Sequence, residues 1–221
     1  MSRIANEIRV EIADLTRILT ACGLAIDSRI AQIHKLGTSY EVNWDKEKNV
    51  SISFMLKNVP YSTIFKNLVE GHHYNFRLCD GAIIQFLYKF KNEELIAHRV
   101  CYFPAPYDPE SMSDTDNTDR LFTELPIIRI DYSPDSSEEL IHPTTHLHLG
   151  HANNCRIPTS APIRPNTFIL FILRSFYNNV FTVHKSLEKS LNIVEGFSDT
   201  LLSTEKEAPH LKIPSNTPEE V

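Results

Sequence analysis

Three consecutive strand-like segments constrain the fold of this chain most. They run from His73 to Cys79, from Ala82 to Phe90 and from Leu95 to Phe103. Asp80-Gly81 joins the first two segments, and this dipeptide favours a tight hairpin turn. Strands that follow one another through such short connections pair in the antiparallel sense. The region therefore predicts an antiparallel meander.

Further strands are indicated on both sides of the meander. Apolar residues alternate with polar ones from Tyr40 to Trp44 and again from Val50 to Leu56, which predicts a hairpin. Two more strand-like segments run from Ile127 to Tyr132 and from Thr145 to Leu149. Together these patterns predict a sheet of about six to seven strands.

Helical spacing of apolar residues marks both ends of the chain. Residues from Ile4 to Cys22 predict an amphipathic helix that stops at Gly23. A short helix is expected from Pro60 to Glu70, and Pro165 opens a helix expected to extend to Ile193. The predicted fold class is α+β: a mainly antiparallel, twisted sheet packed by an N-terminal helix and a long C-terminal helix.

Length and composition indicate one globular domain with a tail. The chain has 221 residues, of which 42% are hydrophobic, and this is enough for one substantial core. Residues 196–221 are mostly Ser, Thr, Glu, Lys and Pro, with little apolar surface to offset the entropy of ordering them. We expect a single α+β domain over residues 1–195 and a flexible C-terminal tail over residues 196–221.

Charge and the lack of long apolar segments exclude some classes of protein. A formal net charge of -6 argues against a surface dedicated to coating nucleic acid, although nucleic acid remains possible as a transient substrate. No segment approaches the roughly 20 apolar residues of a membrane span. The four cysteines include no Cys-x-x-Cys pair, which is typical of a reducing compartment. The sequence predicts a cytoplasmic protein with no membrane association.

Four histidines lie within ten residues, although the whole chain contains only ten. They are His142, His146, His148 and His151. Imidazole has an unperturbed pKa near neutrality and is the commonest metal ligand. The cluster therefore indicates proton transfer, contact with phosphate or metal binding, without choosing among them.

Strand alternation predicts which polar side chains share a face. If Leu147 points inward, His146 and His148 point to the other face of the sheet. In the preceding strand, Arg129 and Asp131 alternate in the same way with isoleucines. Direct pairing of the two strands would therefore gather these four polar side chains on one sheet face.

A catalytic hypothesis follows from this cluster. His146 or His148 would act as general acid or base, and Asp131 would fix the tautomer of the imidazole. Arg129 or Arg156 would stabilise an anionic phosphate. His142 is a further substrate-binding candidate, as is Arg99 if its strand lies beside Arg129, although Arg99 also suits a structural ion pair. Such a set suits phosphodiester cleavage without a metal.

Two other hypotheses use the same residues. His146, His148 and Asp131 could form a two-histidine, one-carboxylate metal site, with His142 or His151 as extra ligands. No accompanying metal-binding motif supports this site. Alternatively, the cluster is a polar sheet face in which Arg129 pairs with Asp131 and has no chemical role. The sequence identifies no cofactor.

Seven short motifs between Lys57 and Tyr177 resemble the bacterial domain-of-unknown-function family 2290. They are Lys57-Asn-Val-Pro-Tyr61, Asp80-Gly-Ala-Ile-Ile-Gln85, Ala97-His-Arg-Val100, Ile128-Arg-Ile-Asp-Tyr132, His142-Pro-Thr-Thr-His146, Asn154-Cys-Arg-Ile-Pro158 and Phe171-Ile-Leu-Arg-Ser-Phe-Tyr177. The positions of His142 and His146 match the family pattern. The pattern allows a residue other than histidine at the position of His148, which weighs against the paired-histidine metal site. The His-Pro-x-x-His element is also similar to TumE-type toxins of toxin-antitoxin pairs. That similarity implies a bacterial conflict or defence setting.

Two functions of different classes are therefore expected. The first is a toxin or anti-phage defence effector that hydrolyses nucleic-acid or nucleotide phosphodiesters through His146, Asp131 and Arg129. The second is a non-catalytic interaction subunit or regulator that binds a protein partner through the helix from Pro165 to Ile193.

Overall fold

A computed structural model of the chain describes residues 2–44, 59–106, 126–150, 155–183, 191 and 196–214. The helices are Arg3–Ala21, Tyr61–Glu70, Pro165–Phe176, Asn178–Val183 and Ser203–Glu207, with a 3-10 turn at Pro134–Ser136. The strands are β1 (Ala25–Ser28), β2 (Gln32–Leu36), β3 (Ser39–Asn43), β4 (Phe76–Leu78), β5 (Ile83–Lys91), β6 (Glu94–Phe103), β7 (Ile128–Tyr132), β8 (Thr145–Leu149) and β9 (Ile157–Pro158).

Within the described residues, nine strands form one sheet in which every strand pairing is antiparallel. Its main order is β1-β4-β5-β6-β7-β8-β9, and β3 pairs with both β2 and β5. The predicted α+β class is therefore confirmed. The sheet exceeds the expected six to seven strands because β1 and β2 are short and lack regular alternation; Ile26, for example, is 58% exposed.

Two of the predicted strands differ from the prediction or lie partly outside the described residues. The Tyr40 strand exists as β3, but its predicted hairpin partner, Val50 to Leu56, lies outside the described residues. The strand predicted from His73 begins only at Phe76. The backbone N–H of His73 donates to the Leu68 carbonyl instead, because residues after the Tyr61–Glu70 helix close its last turn.

The main core lies between one sheet face and two helices. The Arg3–Ala21 helix begins after Ser2, whose hydroxyl accepts a hydrogen bond from the Ala5 N–H at 3.2 Å. Its apolar side chains pack with those of the Pro165–Phe176 helix and of β3, β5 and β6. The members from these two helices are Ala5, Ile8, Ile12, Leu15, Leu19, Phe168, Ile169, Leu170, Ile172 and Leu173. Both predicted helices therefore cover the same face of the sheet.

A smaller apolar cluster occupies the opposite sheet face. Ile64, Phe65 and Leu68 of the Tyr61–Glu70 helix pack there against Cys101 and Phe103 of β6. Because side chains alternate along a strand, Arg99 points to this second face as well. The polar residues predicted to cluster therefore lie beside an apolar patch that a helix covers.

The expected long C-terminal helix is not observed. The helix that opens at Pro165 ends at Phe176, and Tyr177 leaves the helical conformation with φ -125° and ψ 37° before the short Asn178–Val183 helix. The Tyr177 hydroxyl donates to Asp80 Oδ2 at 2.6 Å and lies 3.1 Å from the Tyr102 hydroxyl. These tertiary contacts fix the break, and local apolar spacing gives no sign of them.

Part of the predicted tail contacts the end of the sheet. Leu211 accepts a hydrogen bond from the Ser160 N–H and donates one to the Pro158 carbonyl, and the Thr200 N–H donates to the Ser160 carbonyl. Glu205 is 1% exposed. The division of the chain at residue 195 stays a prediction. No helix among the described residues has the length and apolar character needed to cross a membrane.

A buried ion pair joins the two helices of the main core. Arg164 donates from Nε to Glu11 Oε2 at 2.9 Å, and the Asn166 N–H donates to Glu11 Oε1 at 2.8 Å. Burial raises the pKa of Glu11 above its ordinary value, although the guanidinium and the amide both favour the charged carboxylate. Removal of one partner would leave the other charge buried without compensation.

We therefore expect Glu11→Ala to lower the free energy of unfolding by about 3–5 kcal/mol, measured by chemical denaturation. Glu7→Ala is the matched control, because the ion pair of Glu7 with Arg3 is exposed and should contribute at most about 0.5 kcal/mol. Equal losses in the two variants would contradict a structural role for the Glu11–Arg164 pair.

Candidate functional site

Strand register brings the predicted polar residues together in two rows on one sheet face. In the first row, Arg99 of β6 lies opposite Asp131 of β7, which lies opposite His146 of β8. In the second row, Cys101 lies opposite Arg129, which lies opposite His148. Directly opposed residues on antiparallel strands share a face and lie close together. The pairing of β7 with β8 is therefore as predicted, and β6 adds Arg99 and Cys101.

Arg156 extends the second row beyond β8. Leu147 pairs with Ile157 of β9, so Arg156 precedes β9 at the level of His148. Burial is the main cause that lowers the pKa of His146 and of His148, and the positive charge of Arg156 lowers both slightly further. Arg156 is half-buried, and its Nε has no hydrogen-bond partner among the described residues.

Asp131 is the anionic centre of this cluster. Its carboxylate accepts hydrogen bonds from Arg99 Nε at 2.9 Å and from Arg99 Nη2 at 3.4 Å. Arg129 Nε lies 3.1 Å from Oδ2 and forms an ion pair with it, but this contact does not have the geometry of a hydrogen bond. Burial raises the pKa of Asp131, but the two guanidinium groups outweigh burial and hold the pKa below its ordinary value. Asp131 therefore stays ionised and holds both arginines.

His146 is held by the backbone rather than by Asp131. Its Nδ1 lies 2.7 Å from the Pro143 carbonyl oxygen, which can only accept, so Nδ1 carries the proton. Nε2 then has a free lone pair, and it is buried with no hydrogen-bond partner. Burial lowers the pKa of His146 to about 4, so the imidazole is neutral at pH 7.

His148 lies closer to the carboxylate. Its Nε2 is 3.6 Å from Asp131 Oδ2, and its buried Nδ1 has no hydrogen-bond partner. Burial, followed by the charge of Arg129, lowers the pKa of His148 to about 3. The site therefore holds two neutral imidazoles, each with one ring nitrogen that makes no hydrogen bond.

His142 completes a row of three imidazole rings. Its ring centroid lies 4.7 Å from that of His146, and the centroids of His146 and His148 are also 4.7 Å apart. His142 is partly exposed, and its Nδ1 contacts the Ser136 carbonyl. His151, the fourth member of the sequence cluster, lies outside the described residues.

Ligand atoms of Asp131, His146 and His148 all lie within 4.8 Å of one another, as the metal hypothesis requires. Two features of the surroundings favour an anion over a cation. The Asp131 carboxylate is already occupied by Arg99 and Arg129. The positive charge of Arg129 also opposes a further positive charge on His148.

Sequence reasoning missed two elements of the site. The Pro143 carbonyl fixes the tautomer of His146, and a backbone acceptor has no signature in the sequence. Cys101 is buried beside Arg99 and Arg129, and its position two residues after Arg99 on a strand could have indicated a shared face. Burial raises the pKa of this thiol to about 12, so it stays protonated.

Fold and site together define an α+β protein with a buried arginine–histidine cluster on one face of an antiparallel sheet. The chain belongs to the family of uncharacterized conserved proteins designated DUF2290, whose sequence model matches residues 24–213. This match confirms the family predicted from the sequence motifs and includes all nine strands and the whole cluster. Neither a curated protein nor a solved structure matches the chain significantly.

The depressed pKa values predict a specific pH dependence of stability. Between pH 6.5 and about 5, histidines of the unfolded chain bind protons, whereas His146 and His148 in the folded chain do not. The free energy of unfolding should therefore decrease as the pH falls, by up to about 1.4 kcal/mol per pH unit for each histidine. His146→Asn keeps a donor for the Pro143 carbonyl and removes one titrating group, so the slope should become shallower.

Urea denaturation at several pH values measures this slope. His210→Asn is the control for the substitution of a histidine, because His210 is exposed and lies outside the cluster. An unchanged slope in the His146 variant would mean that His146 binds a proton equally well in the folded and unfolded states.

Proposed function

We propose that this protein is an enzyme that cleaves phosphodiester bonds of nucleic acids or nucleotides. In this proposal His146 is the general base, Arg129 and Arg156 bind the phosphate, and Asp131 positions Arg129. The observation that carries the proposal is the placement of guanidinium groups beside buried imidazoles that keep an unpartnered ring nitrogen.

Positive charge around the Asp131 carboxylate supports the proposal. Asp131 is shared by Arg99 and Arg129, and Arg156 has no ion pair within the part of the chain that the structure describes. Both imidazoles are neutral and so add no positive charge. Buried guanidinium groups that lack their own counterion favour an anion, and their planar donors match the oxygen atoms of a phosphate.

The His146 imidazole is suited to accept a proton. A general base needs a free lone pair and a fixed tautomer, and His146 has the lone pair at Nε2 and a tautomer fixed by the Pro143 carbonyl. The pKa of His146 is low without substrate, but an anionic phosphate bound at Arg129 and Arg156 would favour the protonated imidazole. Substrate would therefore raise the basicity of His146 at the moment when a proton must be accepted.

Burial of the cluster supports a catalytic use of these charges. His146 is 1% exposed and His148 is 4% exposed, so water is largely excluded around both rings. Charges act more strongly in such a site than in water. A substrate must displace neighbouring groups to reach Nε2, and the partly exposed ring of His142 is the neighbour best placed to move.

We extend the proposal to a biological setting, on the basis of the TumE-like His142-Pro-Thr-Thr-His146 motif of the sequence. A phosphodiesterase of this kind would act as a toxin or anti-phage defence effector inside a bacterium. In that setting, wild-type protein should arrest growth on induction through the same histidine that performs cleavage.

The alternative of an interaction subunit has less support from the fold. It was expected because the Pro165 helix has a broad apolar face, but Phe168, Ile169, Ile172 and Leu173 of that helix are buried in the chain's own core. Phe171 is the large apolar residue of the Pro165–Phe176 helix that is exposed, with an exposed fraction of 39%. The Pro165–Phe176 helix therefore offers little free apolar surface to a partner. In the rest of the expected partner surface, which runs to Ile193, Val183 is 77% exposed, and residues 184–190 and 192–193 lie outside the described residues.

Phosphate binding can be tested by thermal denaturation. Inorganic phosphate at several times its Kd should stabilise the wild-type protein by on the order of 1 kcal/mol. This corresponds to a rise in Tm of about 2–4 °C relative to sodium chloride at equal ionic strength. Arg156→Gln should remove the rise, whereas the exposed control Arg17→Gln should keep it. A similar rise in all three proteins would contradict an anion site at Arg156.

Cleavage can be tested with end-labelled RNA and DNA oligonucleotides. Loss of a general base typically lowers the rate by about 10²–10⁴-fold, so His146→Asn should reduce cleavage by at least about 100-fold. His210→Asn is the control for histidine substitution, and circular dichroism verifies that each variant is folded. If the wild-type protein cleaves neither polymer, cleavage of nucleic acids is excluded from the proposed function; if His146→Asn cleaves normally, His146 is not the base.

A further inference from the structure

The site offers a base and phosphate ligands but no activated protein nucleophile among the described residues. An activated serine, threonine or tyrosine would hydrogen-bond to the base that takes its proton. Within the described part of the chain, no hydroxyl makes such a bond to His146 or His148. The closest serine along β7, Ser133, instead shares a hydrogen bond of 2.7 Å with the Ser136 hydroxyl.

Two cysteines near the cluster are also unsuited to attack. Cys101 lies on the correct sheet face, but burial holds its thiol in the protonated form, which is a poor nucleophile. Cys155 is a free, half-buried thiol, and among the described residues no hydrogen bond joins it to His146 or His148. Among the described residues, then, no side chain is placed to attack phosphorus, which leaves water and the substrate itself as nucleophiles in this part of the chain.

A nucleophile within the substrate has a large advantage at this site. Well-oriented intramolecular reactions reach effective concentrations on the order of 10⁵–10⁸ M, which compensates for a weak base. RNA carries such a group in the 2′-hydroxyl beside each phosphodiester, and DNA lacks it. A site with neutral imidazole bases and guanidinium ligands thus suits RNA better than DNA.

We infer that the substrate is RNA and that its own 2′-hydroxyl is the nucleophile; this inference rests on the proposed function. His146 Nε2 accepts the proton of the 2′-hydroxyl as the bond from O2′ to phosphorus forms. The bond from phosphorus to O5′ breaks on the opposite side, O5′ takes a proton from solvent, and His146 returns its proton to solvent. Arg129 and Arg156 bind the non-bridging oxygens. The products are a 2′,3′-cyclic phosphate and a 5′-hydroxyl, with no water or other reactant consumed.

The test compares three oligonucleotides of one sequence in the presence of EDTA. One is all DNA, the second is DNA with a single ribonucleotide, and the third carries a 2′-O-methyl group at that ribonucleotide. We expect cleavage only of the second strand, on the 3′ side of the ribonucleotide, at least about 100-fold faster than of either other strand. Mass spectrometry should identify a cyclic phosphate end.

The controls separate this inference from the proposed function. His146→Asn, purified identically, should be inactive and excludes a contaminating ribonuclease; His210→Asn should cleave like the wild-type protein. Equal cleavage of the DNA strand, products with a 5′-phosphate end or loss of activity in EDTA would overturn the RNA mechanism while phosphodiester cleavage stands. Absence of cleavage of every strand, and of the RNA and DNA oligonucleotides above, would overturn both.

Discussion

The carboxylate of Asp131 is the interaction on which the candidate site depends. It lies on the middle one of three paired strands and is shared by Arg99 on one neighbour, Arg129 on its own strand and His148 on the other neighbour. A single anion thereby fixes groups from β6, β7 and β8. Because the Asp131 carboxylate is buried and paired with Arg99 and Arg129, it fixes the positions of these two guanidinium charges within the cluster.

Much of this arrangement could be predicted from alternation alone. A strand has a period of two, so the isoleucines of β7 and the leucines of β8 assign Arg129, Asp131, His146 and His148 to one face without any knowledge of tertiary structure. The apolar pattern also fixes the register, because a slip of one residue would bury the polar set in the main core. The position of Arg99 required only the further pairing of β6 with β7.

Other features depend on contacts between residues far apart in sequence or on backbone groups. The Pro165 helix has apolar spacing that continues beyond Phe176, yet a hydrogen bond from Tyr177 to Asp80, 97 residues away, accompanies its end. The tautomer of His146 depends on the Pro143 carbonyl, a group that every residue has. Burial of the polar face could not be predicted from the sequence either, because alternation assigns a side chain to a face of the sheet and does not show whether that face is exposed to solvent.

Burial gives this cluster two properties that reinforce each other. It removes the charge from His146 and His148, because an imidazolium is poorly solvated there, and it leaves the permanently charged arginines to set the local potential. A metal cation would face that positive potential and compete with Arg99 and Arg129 for Asp131. A phosphate would meet donors on its oxygens, and its charge would favour proton uptake by the neighbouring imidazole. The same desolvation that makes the histidines weak bases in the free protein therefore makes their basicity responsive to an anionic ligand.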